Sequence, residues 1–194
     1  TLRNSSAASD VYKRQLDNPD VSVLMADIVN FTAYSEKVSA DEVVALLDGM
    51  FSRFDDVVGE YGVEKIKTIG DSYMIVAGVP THREDHATVL YQLSSELHKI
   101  ANEFTDNQSN PIKLRIGINS GPAVSGVIGK SKFAFDVWGD TINTAARLES
   151  LGEPGKVHIS ERTYQLIKEK FGLNLTQSEV TMKGKGKVLS LIHI

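Results

Sequence analysis

Asp27 ends an apolar run, Val21-Ser22-Val23-Leu24-Met25-Ala26. Asp71 sits at Gly70-Asp71, between two more runs rich in Ile, Val and Thr. A carboxylate at a strand end and another in a tight strand-to-strand turn can meet over one sheet edge. Paired acidic oxygens suit hard divalent cations such as Mg²⁺. Cations of that kind beside a lysine such as Lys67 suit phosphoryl or nucleotidyl transfer, where catalysis is mostly charge stabilisation and positioning. Taken alone, each aspartate has an ordinary reading, because Gly-Asp is a common turn. A third segment shifts the balance: Asp136-Val137-Trp138-Gly139-Asp140, followed by Asn143 and Arg147.

Asn143 and Arg147 are four apart on an expected helix and therefore share a face. Arg147 offers a planar fork of donors that matches phosphate. Its ordinary alternative is an ion pair with Glu149 or another surface carboxylate. The turn Asp27-Ile28-Val29-Asn30-Phe31-Thr32 can present successive backbone N–H groups to an anion, which makes Phe31 and Thr32 candidate substrate contacts. Lys67 otherwise reads as a solvent-facing strand residue. Asp136 can accept from an exocyclic amine. Lys183 and Lys185 lie between glycines and can bring ammonium groups onto phosphate; as a short basic run they are also plain solvated charge. Neither H-E-x-x-H nor G-x-S-x-G occurs, which leaves His-based metal sites and serine hydrolysis without support.

These residues must be held by an α+β arrangement. The sequence predicts a strand over 21–26, a helix from a cap at Ser39 or Asp41 to about 59, and a hairpin of 63–69 and 72–78. A helix follows over 84–104, then strands at 112–119 and 123–128 broken at Ser120-Gly121-Pro122. Residues 130–135 read as a loop. A third helix runs from Asp140 to before Gly152, followed by a short strand at 156–160, a helix at 161–170 and weak tail strands. This order resembles a ferredoxin-like sandwich, with a mostly antiparallel sheet and helices packed on it. At 194 residues, 41% hydrophobic and 24% charged, the chain reads as one globular domain. The net charge of −4 argues against a nucleic-acid binder. The chain has no cysteine, hence no disulfide and no thiolate site. No stretch reaches the ~20 apolar residues of a membrane span, so a cytoplasmic location is expected, with any membrane or sensor domain outside this chain. Residues 1–15 read as a disordered or non-native leader, 16–188 as the domain, and 189–194 as a non-native or truncated tail.

Five stretches in order closely resemble the catalytic domain of class III adenylate and guanylate cyclases. They are LMADIVNFT (24–32), EKIKTIGDSYMIVAGVP (64–80), LRIGINSGPAVSGVIG (114–129), FDVWGDTINTAARLES (135–150) and MKGKGK (182–187). The resemblance implies that Asp27 and Asp71 bind two Mg²⁺ ions, with Mn²⁺ as substitute, and that Ile28 adds a backbone carbonyl. It implies that Lys67 and Asp136 read the base. Asn143 and Arg147 take the ribose and transition-state roles, and Lys183 holds the triphosphate, with Lys185 a second candidate. It also implies a head-to-tail homodimer whose active sites lie between the chains. The activity implied is conversion of ATP to 3′,5′-cyclic AMP and pyrophosphate by in-line attack of the ribose 3′-oxygen on the α-phosphate.

Base choice follows from hydrogen-bond chemistry. Adenine offers N1 as acceptor and its 6-amino group as donor, which a lysine and an aspartate complement. Guanine presents the reverse, leaving both side chains mispaired at about 1–3 kcal/mol each. Lys67 and Asp136 therefore favour ATP. The alternatives are a guanylate cyclase, which Lys67 and Asp136 disfavour, and a catalytically silent cyclase-like partner, which the complete residue set disfavours. A diguanylate-cyclase-like domain is disfavoured because the hairpin reads Ile69-Gly70-Asp71-Ser72-Tyr73. Asn30 stands where the family often has Gly, and Asn tolerates the left-handed backbone such a turn needs. The stretch after Lys187 lacks the aromatic strand usual in the family.

Overall fold

The computed structural model describes residues 15–128, 134–172, 175–182 and 186–193. In chain order the elements are β1 (Gln15–Ile28), α1 (Phe31–Ser35), α2 (Ala40–Glu60), β2 (Glu64–Ile69), β3 (Ser72–Ala77) and α3 (His86–Asn102). There follow β4 (Leu114–Ile128), β5 (Ala134–Trp138), α4 (Asp140–Ser150), β6 (Val157–Ser160), α5 (Glu161–Phe171), β7 (Leu175–Met182) and β8 (Gly186–His193). The strands form one sheet in the order β2-β3-β1-β4-β6-β8-β7, with β5 added to β4. Among the described residues only the β4–β6 pairing is parallel. The fold is the expected α+β sandwich, its sheet mostly antiparallel.

Alternation along β1 divides the core. Leu24, Ala26 and Ile28 point into a large cluster with Leu46, Met50 and Phe54 of α2 and Leu90, Leu93 and Leu97 of α3. Ile167 of α5 joins the same cluster. Val21, Val23 and Met25 point the other way, into a smaller cluster with Met74, Val76 and Ala145 of α4. Side chains on a strand alternate with period 2, so Asp27 shares the face of Met25. Three helices thus cover one face of the sheet, and α4 lies on the other.

The helix ends follow local rules. Ser39 caps α2 in a full capping box with Glu42, which satisfies donors at both ends of the first turn. Ser160 caps α5 through the backbone N–H of Thr163. Asp140 is the first residue of α4 rather than its cap, which is Gly139; there its charge still favours the helix N-terminus.

Three expectations from sequence need correction. β4 does not break at Ser120-Gly121-Pro122 but runs through it. The irregularity lies instead in β1, where the register slips between Asn18 and Val21 opposite Ala123 and Gly121. A proline is tolerated at such a bulge, where ladder bonding is already interrupted. Ala134 and Phe135, read as loop, begin β5, which pairs back on β4 and brings Asp136 opposite Gly126. The short helix α1 was not anticipated; its five residues are too few to show a periodic pattern. Residues 189–193 lie in β8, hydrogen-bonded to β6 and β7.

Candidate active site

Asp27 and Asp71 meet at the end of β1. Asp71 occupies the β2–β3 turn, which Gly70 closes with a φ of 63°, a conformation costly for residues with a Cβ. Ser72 Oγ donates to Asp27 Oδ1 at 2.8 Å, pinning that turn to β1. The Asp71 carboxylate lies beside that of Asp27 and close to the Ile28 backbone. Burial first, then the neighbouring Asp27 charge, push Asp71 up to about 6. Two carboxylates that crowd each other in this way are short of positive charge. Asn30, just beyond, has a φ of 61°, as the turn requires. Phe31 and Thr32 open α1; Phe31 packs against the large cluster and Thr32 is exposed.

Positive charge comes from a residue the sequence reading did not single out. Arg115 of β4 stands opposite Asp27 in the β1–β4 register. Its Nη2 donates to Asp27 Oδ2 at 2.7 Å and its Nε to Glu149 Oε1 at 3.2 Å. Glu149 is buried, and desolvation, followed by the Asp27 charge, pushes it up to about 7 despite Arg115. Gly117 lets α4 come this close: a Cβ there would lie 2.3 Å from the Glu149 backbone nitrogen. The available signal was a charged residue flanked by Leu114 and Ile116, but register with Asp27 is a tertiary fact.

Lys67 and Asp136 are joined as well. Lys67 Nζ donates to Asp136 Oδ2 at 2.6 Å, across β2 and β5. Asp136 Oδ1 accepts from the Val137 backbone N–H at 2.8 Å, which fixes the carboxylate. Lys67 stands opposite Met74 in the β2–β3 register. It therefore projects from the same face as Met74, Met25 and Asp27.

Asn143 and Arg147 lie on α4, Asn143 exposed and Arg147 half-buried. Neither side chain has a hydrogen-bond or ion-pair partner among the described residues. The ordinary alternative for Arg147 does not occur, since Glu149 bonds Arg115 and Ser150. Residues two apart on a helix do not face each other. Glu149 turns toward the sheet while Asn143 and Arg147 turn away from it. Lys183 and Lys185 lie outside the described residues.

The donor set at Asp27 and Asp71 is all oxygen and carries excess negative charge, which fits Mg²⁺ or Mn²⁺. Among the described residues no three His, Cys, Asp or Glu side chains converge on one point. Mg²⁺ commonly needs only one or two carboxylates, completing its shell with water and substrate phosphate oxygens.

Residues 11–192 match the family described as adenylate and guanylate cyclase catalytic domain. The chain belongs to that family. An adenylate cyclase of Mycobacterium tuberculosis is 40% identical over 167 residues, 86% of this chain and 38% of the relative. The receptor-type guanylate cyclase gcy-28 of Caenorhabditis elegans is 42% identical over 169 residues, 86% of this chain and 13% of the relative. The chain thus spans well under half of these curated relatives. Among solved structures, the catalytic core of a rhodopsin-guanylyl cyclase with converted specificity, in complex with ATPalphaS, superposes with a TM-score of 0.86 at 35% identity. That match covers 93% of this chain and 98% of the other. The cyclase domain has relatives of both base specificities. No helix among the described residues is long and apolar enough to cross a membrane.

Proposed function

We propose that this cyclase domain is an adenylate cyclase, converting ATP to 3′,5′-cyclic AMP and pyrophosphate. The observation that carries this reading is the Lys67–Asp136 pair at 2.6 Å, on the sheet face that also bears Asp27. The two side chains hold each other at one spacing, a donor beside an acceptor. Adenine's N1 and 6-amino group complement that order, and guanine's N1–H and O6 oppose it. A site that must leave buried polar groups unpaired rejects the wrong base strongly.

Asp27 and Asp71 would hold the divalent cations, with the Ile28 carbonyl as a further oxygen. Those ions, when bound, supply Lewis-acid polarisation of the ribose 3′-oxygen and of the phosphates. The protein's own part is placement. Lys67 and Asp136 fix the base, which sets where the ribose lies. Asn143 orients the ribose. Arg147 offers its guanidinium to the negative charge that grows on the phosphates as pyrophosphate leaves. Lys183, beyond the described residues, is assigned to the triphosphate on the strength of the sequence alone. No side chain needs to form a bond to substrate.

The active site is assigned to a head-to-tail pair of chains. Asn143 and Arg147 turn away from their own sheet, which supports a site whose aspartates another chain supplies. An apolar groove of about 290 Å³, lined by Pro19, Pro122, Ala123, Val124 and Trp138, lies beside the start of α4 and suits contact with that second chain. Two-fold symmetry would then give two equivalent sites.

Incubation of the purified chain with ATP and separately with GTP, each with Mg²⁺ and with Mn²⁺, tests the reading by product analysis. Cyclic AMP should dominate with either ion. Cyclic GTP as the main product would overturn the base assignment, and no cyclic product from either nucleotide would favour a silent partner.

A further inference from the structure

The Arg115 side chain has two carboxylate partners, and one of them is a candidate cation ligand. Nη2 lies 2.7 Å from Asp27 Oδ2, and Nε lies 3.2 Å from Glu149 Oε1. Asp27 Oδ1 is taken by Ser72. Each Asp27 oxygen therefore already accepts from one of the protein's own donors. A cation that takes up the Arg115-bonded oxygen sets its charge against the guanidinium, and so competes with a charge-assisted hydrogen bond, among the stronger kinds in proteins. The guanidinium does not then lose all its compensation, because Glu149 still holds Nε. Glu149 is anchored by α4, whose close approach depends on Gly117. The arginine can thus let go at one end while staying fixed at the other.

We propose that Arg115 is an internal counter-ion that competes with a divalent cation for Asp27, and that Glu149 is the positioning residue that retains it. The inference rests on the reading of Asp27 and Asp71 as cation ligands. It adds a device: with no cation bound, Arg115 offsets part of the site's negative charge, and the domain's affinity for free metal is held down. It also assigns Glu149, a buried acid with no place in the reaction scheme, a task that works through another side chain.

Binding of Mn²⁺ alone to the nucleotide-free full chain tests this, with free Mn²⁺ followed by electron paramagnetic resonance. Arg115→Met should tighten binding by about tenfold, the worth of one charge-assisted hydrogen bond at its lower end. Glu149→Gln should weaken it, because Arg115 then has only Asp27 as an anionic partner and resists displacement. The effect of Glu149→Gln should vanish in the Arg115→Met background, since the two act through one bond. Unchanged or weaker binding by folded Arg115→Met would overturn the proposal. So would a Glu149→Gln effect that persists at full size in the double variant. Asp27→Asn should lose Mn²⁺ binding in either background. If it does not, the cation reading itself fails, an outcome distinct from failure of the counter-ion.

Discussion

The two faces of the sheet are built for different ends. The face under α2, α3 and α5 is mainly apolar, with Leu24, Phe54, Tyr73, Leu90 and Leu97 fully buried there. Its polar exceptions, such as Ser22, His86, Ser120 and Thr163, are buried and hydrogen-bonded to one another. The face that α4 shares bears Asp27, Lys67 and Asp136, with only a small apolar cluster around Met25, Met74 and Ala145. Its polar groups are tied to one another by ion pairs, or, as with Arg147, lack a partner among the described residues. One face supplies rigidity and the other presents charge. Substitutions on the two faces should therefore separate stability from activity.

Removing a carboxylate from the polar face should give the largest functional effect. Asp27→Ala or Asp71→Ala should lower cyclase turnover by at least about a hundredfold if they hold the proposed cations, since even groups that only support a metal's ligands are worth about 10–100-fold. Circular dichroism should stay close to wild type, and the melting temperature should not fall. On the apolar face the pattern should invert. Phe54→Ala should cost about 3–5 kcal/mol in urea unfolding, because a fully buried ring leaves a cavity. Turnover per folded molecule should change little. An Asp27→Ala chain that melted like Phe54→Ala would break the division between the faces.

The apolar face was legible because its code is periodic. Leu46, Met50, Phe54 and Val58 repeat at helical spacing, and all four are buried. That Asp27 and Asp71 come together could be expected from sequence because one ends a strand and the other sits in a glycine turn, although each alone reads as an ordinary turn residue. Arg115 was not legible, since its meaning lies in register: only the pairing of β4 with β1 sets it opposite Asp27. The same limit hid the continuity of β4, where Ser120-Gly121-Pro122 reads locally as a break. The bulge that accommodates the proline sits on the neighbouring strand. β5 was partly missed because five residues hold too short a pattern, yet β5 carries Asp136 to Lys67.

A smaller effect sharpens the base assignment within the polar face. Lys67→Glu combined with Asp136→Cys should lower ATP use and raise relative GTP use, with total activity reduced because the surrounding shell is unadapted. An active double variant with an unchanged ATP/GTP ratio would remove these residues from base reading.

The smallest effect concerns pH. Burial first, then the Asp27 charge, push Asp71 from its ordinary 3.8 up to about 6. A raised value means that ionising Asp71 opposes folding; the penalty is absent below about pH 4 and complete above about pH 6. Without metal, Asp71→Asn should raise the melting temperature at pH 7.5, and the gain should shrink as pH falls from 6 to 4. A constant gain across that range would mean that Asp71 carries no such penalty.

Mixing two inactive chains tests most directly whether the faces of two molecules build one site. Asp27→Ala lacks a carboxylate, and Arg147→Ala lacks the guanidinium on α4. In a mixed dimer one site collects both lesions and the other neither. With random exchange half the dimers are mixed, so activity should recover to about a quarter of wild type. If dimers are weak, recovery should rise with protein concentration. No recovery between chains shown to exchange subunits would mean that each active site is built within a single chain, contradicting the account.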